Sequence, residues 1–365
     1  MRFGRRLIIA ITGAAMLAGC QSLVGPASIV PDRINYADAM ADSWKQQMLL
    51  NIVKFRYFDT PVFLDVSSMI SSYQIEGQAS IGANLLPKSA SGTTHAGNTM
   101  LNLGVAGSYL EHPTITYAPL TGEKFVNALL KPLPPQTVMA MIEAGHPADF
   151  ILGISVDAIN GIQNRSTAPL RTRAAHPAFV QVTEALHRIQ QAGALSVRTE
   201  KRDKQPVTWV AMPRGADADV ENDIRFVMTR LGLKAANREF LLVYGSAPRK
   251  PNEIALRTRS MQQILVELGA GVDVPKEDLA DHRAMSVTAS RSAAATGGSP
   301  LIRIHSSVER PSNAYTAVYY RDHWFWIDDG DLNSKRIFMF LLIFSSLAET
   351  GIVPQAMPII TIPAS

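Results

Sequence analysis

Apolar positions along the chain recur at two periods, and the change from one to the other organises the reading. Over residues 36–57, Met40, Trp44, Met48, Ile52 and Phe55 return every three or four positions, which predicts a helix with one buried face. Asp59-Thr60-Pro61 ends that run, and residues 62–66 read as a short strand. From residue 74 the period drops to two. Ile75, Gly77, Ala79, Ile81, Ala83 and Leu85 hold the odd positions, against Gln74, Glu76, Gln78, Ser80, Gly82 and Asn84 on the even ones. Residues 99–110 repeat the pattern, with Leu101, Leu103, Val105 and Tyr109 on one parity and Asn102, Gly104, Ala106 and Ser108 on the other. Residues 87–98 between them are rich in Ser, Thr and Gly and carry Lys88, so an amphipathic β-hairpin is predicted over 73–110.

Helical patterns follow over 121–130, 134–144, 148–163 and 177–191, the last stopped by Gly193. Beyond them strand and helix alternate. A hairpin of 195–199 with 207–212 is built around a charged turn at 200–204, followed by a helix at 219–231, a strand at 240–244 and a helix at 261–268. The polar stretch 276–299 reads as an exposed loop. Strands at 301–305, 314–320 and 323–327 are expected to form a meander, with a helix over 335–348. The apolar run inside that last helix covers 12 residues, short of the roughly 20 that cross a bilayer, so it reads as a buried helix. The predicted class is α+β: a helical N-terminal half carrying the hairpin, and a mixed strand and helix C-terminal half. The expected divisions are 1–19, 20–33 as a tether, 34–193 and 194–365.

The first nineteen residues are read apart from the fold. Arg2, Arg5 and Arg6 precede an apolar run from Leu7 to Ala18, the pattern of a secretory signal. It ends in Leu17-Ala18-Gly19-Cys20, which resembles the lipobox of bacterial lipoproteins. That resemblance implies a diacylglyceryl group on the Cys20 sulfur, cleavage between Gly19 and Cys20, and acylation of the new amino group. No other cofactor is expected. Residue 21 is Gln rather than the Asp that retains enteric-type lipoproteins at the inner membrane, so the resemblance points to an outer-membrane lipoprotein, periplasm-facing. Several acyl chains anchor a protein stably where one chain does not.

Composition sharpens this picture. Cys20 is the only cysteine, so no disulfide forms within one chain and no cysteine zinc site exists. Lys and Arg number 35 against 31 Asp and Glu; without the three signal arginines the balance is 32 against 31, which gives no basic surface for nucleic acid. An apolar content of 47% with low net charge excludes disorder over most of the length.

The hairpin has two readings. A transmembrane β-strand needs about 9–11 residues with one lipid face and one polar face, and both segments meet that requirement. Tyr73, Ile75, Ile81, Leu85, Leu101, Leu103, Val105 and Tyr109 would form the lipid face, with the two tyrosines at the girdle near the open end. One hairpin cannot span lipid alone, because its edges leave backbone groups unpaired, so several copies of the chain would have to close a barrel as a homo-oligomer. This design is similar to that of lipoprotein secretion channels, such as the curli channel. The other reading is a soluble amphipathic hairpin packed on the helices.

Catalytic signatures are missing: no GxSxG, P-loop or HExxH occurs, and the eight histidines form no close pair. Asp328, Asp329 and Asp331, with Asn333, form the densest polar cluster, readable as a hard-cation site or as a turn with a helix cap. The stretches 49–68, 112–125 and 324–344 resemble an uncharacterised group of proteobacterial lipoproteins. The resemblance covers most of the mature chain and implies no activity.

The expected function is therefore that of an outer-membrane-anchored lipoprotein with a binding or envelope-assembly role. The alternatives are an oligomeric pore built from hairpin 73–110 of each subunit, and a periplasmic hydrolase with an unrecognised site. Labelling with radioactive palmitate checks the anchor: Cys20→Ser is expected to lose the label and to keep residues 1–19 uncleaved.

Overall fold

The computed structural model describes residues 29–70, 73–84, 100–111, 114–167, 172–202, 205–214, 217–236, 238–284 and 300–348. Gly19, Cys20, Leu85, the segment 87–98 and most of the expected loop lie outside them. The chain is an α+β protein of two compact units, one made of residues 1–62 with 121–365 and the other of Phe63–Leu120.

The larger unit opens with α1 (Ile29–Arg56). It begins inside the stretch expected to be a tether, and Pro31 is compatible with this because the first four N–H groups of a helix have no intrahelical partner. Only the last part of α1 is buried, at Met48, Leu49, Ile52 and Val53, while Trp44 remains 45% exposed. The face predicted from Met40, Trp44, Met48, Ile52 and Phe55 is thus covered only in part. Periodicity selects a stripe, but burial requires a neighbour.

The next short helix is α2 (Gly122–Phe125), continued by a π-turn over Val126–Leu130. Helices α3 (Pro135–Glu143) and α4 (Ala148–Ser155) follow. The helix expected over 148–163 stops at Ser155. The chain then turns back as a strand pair, Val156–Ile159 with Ile162–Gln163. Asn160 and Gly161, at φ of 45° and 84°, form its two-residue turn. The Asn160 amide ties that turn inward, donating to the Leu231 carbonyl at 2.8 Å and accepting from the Ala255 N–H at 2.7 Å.

In chain order the described strands are β1 (Leu64–Ile70), β2 (Tyr73–Asn84), β3 (Met100–Glu111) and β4 (Thr114–Pro119) in the smaller unit. The larger unit contributes β5 (Val156–Ile159), β6 (Ile162–Gln163), β7 (Ser196–Arg202), β8 (Gln205–Ala211), β9 (Glu239–Tyr244) and β10 (Glu253–Thr258). These six form one sheet in the order β6-β5-β10-β9-β8-β7. The sheet takes strands from both sides of position 193, so the border expected there runs through a single sheet. Every neighbouring pair is antiparallel except β9 and β10, which are parallel and joined by residues 245–252. The buried Glu253 carboxylate holds that short return, accepting from the N–H groups of Arg249 at 2.7 Å and Lys250 at 3.2 Å.

Three helices succeed one another around this sheet: α5 (Pro177–Gln191), α6 (Ala218–Leu231) and α7 (Met261–Gly269), the last opened by a capping box from Ser260 and Gln263. A five-residue helix, α8 (Lys276–Ala280), then begins the stretch read as an exposed loop, and its Asp278 is buried. A smaller sheet of β11 (His305–Ser307), β12 (Ala314–Tyr320) and β13 (His323–Asp328) is ordered β11-β13-β12, so it is not a meander. Finally α9 (Leu332–Ala348) buries Ile337, Phe338, Phe340, Leu341 and Phe344. Among the described residues no helix is long and apolar enough to cross a membrane.

A buried guanidinium joins the pieces. Arg259, 3% exposed, donates to the carbonyls of Gly153 at 3.2 Å and Ile154 at 2.8 Å at the end of α4, and to that of Arg165. Next to it the Glu267 carboxylate, 5% exposed, accepts from the Thr167 N–H and hydroxyl at 2.8 and 2.9 Å and lies 3.1 Å from Arg165 Nε. Arg259→Met removes every one of those donors in the interior and is expected to lower unfolding free energy by about 3 kcal/mol or more in urea titrations. Arg259→Lys is expected to recover only part of this, since one ammonium cannot match a planar fork.

Candidate functional site

In the smaller unit β1 pairs with β4, and β2 pairs with β3, all antiparallel. The two pairings share one register offset: Ile70 faces Thr114, Tyr73 faces Glu111, and Asn84 faces Met100. The described residues thus form two strand pairs in one frame, here called the ribbon, with the Leu120 N–H on the Phe63 carbonyl at 2.9 Å at its base.

Register decides what the two faces carry. In an antiparallel pair directly opposed residues share a face. Ile75 faces Tyr109, Ala79 faces Val105, Ile81 faces Leu103, and Ala83 faces Leu101, with Gly77 opposite Gly107. All of these pairs occupy one side. On the other side Glu76 faces Ser108, Gln78 faces Ala106, Ser80 faces Gly104, and Gly82 faces Asn102. A shift of one residue in either strand would have mixed the parities. Tyr73 is opposite Glu111, one register step from the Ile75–Tyr109 pair and on the same parity.

The apolar face extends into the base. Met69 faces Ile115, Val66 faces Tyr117, and Leu64 faces Pro119. In β1 the apolar positions change parity between Val66 and Met69, and a bulge between Val66 and Ser68 absorbs the change. Throughout β4 the side chains are exposed, with Ile115 at 41% and Tyr117 at 52%.

Within the larger unit, side chains tie down the residues that precede Phe63. The Asn51 amide clamps Val62 from both sides, donating to its carbonyl at 2.8 Å and accepting from its N–H at 2.9 Å. The Lys54 ammonium donates to the Thr60 carbonyl at 3.2 Å. Asp59 accepts from the Tyr320 hydroxyl at 2.5 Å, and Tyr57 donates to the Asp278 carboxylate at 2.7 Å. The Tyr57 ring meets those of Tyr320 and Phe325 edge-on, and the Arg321 guanidinium lies over both tyrosines at 5.2 and 5.5 Å. Burial, reinforced by the bond to Asp278, holds the Tyr57 hydroxyl far above the ordinary tyrosine range. Burial and the bond to Asp59 raise Tyr320 as well. That Tyr320 bond, with the Thr60 N–H, in turn holds Asp59 below the usual carboxylate range.

The aspartate cluster does not converge. Asp328 accepts from the Gly330 N–H at 2.7 Å, and Asp329 pairs with the Lys335 ammonium at 2.6 Å. Asp331 caps α9, accepting from the Ser334 N–H at 3.0 Å and its hydroxyl at 2.6 Å. The hydroxyl and N–H of Ser334 thus hold Asp331 below the carboxylate range. The three carboxylates are a turn and a cap, with their oxygens facing different donors. Among the described residues no group of three or more His, Cys, Asp or Glu is arranged to hold a metal ion. His176 has a capping role: its Nδ1 accepts from the Ala178 N–H at 3.1 Å at the start of α5. A cavity of about 370 Å³ lies beside it, between Gly161–Gln163 and Arg173. Arg173 is already engaged there, paired with Asp157 at 2.5 Å.

No family model, curated protein or solved structure matches the chain.

Because the folded state holds the Tyr57 proton more tightly than the unfolded chain, its contribution is complete below about pH 10 and is lost as pH rises above that value. The stability difference between the unaltered protein and Tyr57→Phe is therefore expected to narrow between about pH 9 and pH 11, measured by denaturant unfolding at each pH.

Proposed function

We propose that the chain is a lipid-anchored outer-membrane protein that works by self-assembly, its ribbon pairing edge to edge with those of other copies to close a shared β-barrel. The observation that carries this reading is the register of β2 with β3, which puts Ile75, Ala79, Ile81, Ala83, Leu101, Leu103, Val105 and Tyr109 on one side, while Met100 and Leu110 at the strand ends fall on the other. At about 3.4 Å per residue such a strand is about 40 Å long. Tilted by about 40°, it rises about 30 Å, which matches the hydrocarbon layer.

Edge chemistry supports the same reading. β2 and β3 form a two-stranded sheet, and two strands alone are marginal in water and inadmissible in lipid. Copies placed side by side satisfy the outward N–H and C=O groups and put every apolar side outward. The anchor implied by Cys20 would bring the copies to one membrane and concentrate them there, so the assembly role expected of the lipoprotein takes a definite form.

Native mass spectrometry and electron microscopy of detergent extracts test this. Rings of one size are expected, and a strictly monomeric particle, or a one-to-one complex with a different protein, would refute the barrel. The two faces also make opposite demands. Ile81→Arg puts a charge on the lipid side at a cost of about 2–4 kcal/mol per subunit near the midplane, and is expected to abolish the ring. Ser80→Arg, one position away on the lumen side, is expected to leave it assembled.

A further inference from the structure

The charges of the described strands of this unit are of one sign; Lys88, His95 and His112 of the same unit lie outside the described residues. In the described strands β1 to β4 the only ionisable acids and bases are Asp65, Glu76 and Glu111, with no Lys, Arg or His. Register separates them. Asp65, opposite Ala118, and Glu76, opposite Ser108, belong to the polar side, whereas Glu111 is opposite Tyr73 on the apolar side at the end that carries Tyr73 and Tyr109. Glu111 therefore fits the boundary between lipid and water. Asp65 lies beyond it toward the base. Glu76 is the one charge in β2 and β3 on the side that a barrel would turn to its lumen. The positions around it there are neutral, Gln74, Gln78, Ser80 and Asn102 among them.

Resting on the barrel reading above, we propose that Glu76 is the selectivity-determining residue of the conduit, which passes small cations and rejects anions. Copies related by rotation put each Glu76 at one height, so the carboxylates form a ring. Each subunit supplies two strands about 4.8 Å apart, which spaces the carboxylates by roughly 10 Å around the wall. That spacing is about one Debye length at 0.1 M salt, so their fields overlap across the lumen, and more strongly as salt is lowered. Among the described positions on that side of β2 and β3, the neighbours of Glu76 are neutral and add no opposing charge. A ring of carboxylates in a water-filled pore raises the local cation concentration and sets a barrier to anions. Asp65 adds a second ring at the mouth and recruits the same ions.

The full-length acylated protein in planar bilayers under a potassium chloride gradient provides the test. The reversal potential is expected to give a several-fold preference for potassium over chloride that grows as both salt concentrations are lowered. Glu76→Gln is expected to bring the ratio close to one, and Glu76→Lys to invert it, while native mass spectrometry shows the same ring for both. A ring that conducts without cation preference, or a preference unaltered by Glu76→Gln, overturns the proposal and leaves the barrel standing. Monomers without conductance overturn the barrel reading and this proposal together.

Discussion

The hydrogen-bonding capacity of the peptide backbone is the constraint on which this structure turns. In an antiparallel pair, alternate residues direct their N–H and C=O groups across to the partner, and the others direct theirs outward. A ribbon of two strands therefore satisfies only its inner half, and water must serve the rest. For β2 and β3, which carry an apolar side as long as a bilayer is thick, water is a poor neighbour on that side and lipid an impossible one on the edges. Pairing with further strands, as proposed, would meet both demands at once.

The body of the protein handles the same demand by ordinary means. Its six-stranded sheet pairs most strands internally, and its irregular joints are filled by side chains. Asn160 serves a tight turn, Glu253 an unusually short parallel return, and Arg259 the open carbonyls at the end of α4. Left-handed backbone is confined to such joints, as at Arg321 and Asp322, with φ of 48° and 62°, which link β12 to β13. The aromatic cluster that fixes Tyr57 and Asp59 forms beside that turn.

Much of this was legible in the sequence where one period ruled. Residues 74–84 and 101–109 alternate between the two parities, and the hairpin is there, paired in register. The helices at α5, α6 and α9 were marked by their apolar stripes. Residues 148–163 misled because their apolar positions suit either period; the Asn160-Gly161 pair, a strong hairpin signal, held the correction. Strand β10 escaped notice because its six residues include Glu253 and Arg257, whose burial or pairing depends on partners distant in the chain. For the same reason Asp278 was assigned to a solvated loop: nothing near it in sequence announces Tyr57. The three aspartates at 328–331 could be read as cap or ligand, since both uses need oxygen atoms at a helix start, and only the positions of Ser334 and Lys335 separate them.

The bulge at Val66–Ser68 has a wider meaning. Strand pairing treats the ribbon as a text read in twos, and an odd insertion on one strand scrambles every later pair unless a second slip restores the frame. Here the slip sits near the base, and the described pairs Ser68–Ile70 and Tyr73–Asn84 each run without a further one. The ribbon can therefore be lengthened or trimmed only by matched residues on both strands, about 3.4 Å at a time. Its span is a quantised ruler, fixed by pairing rather than by any single side chain.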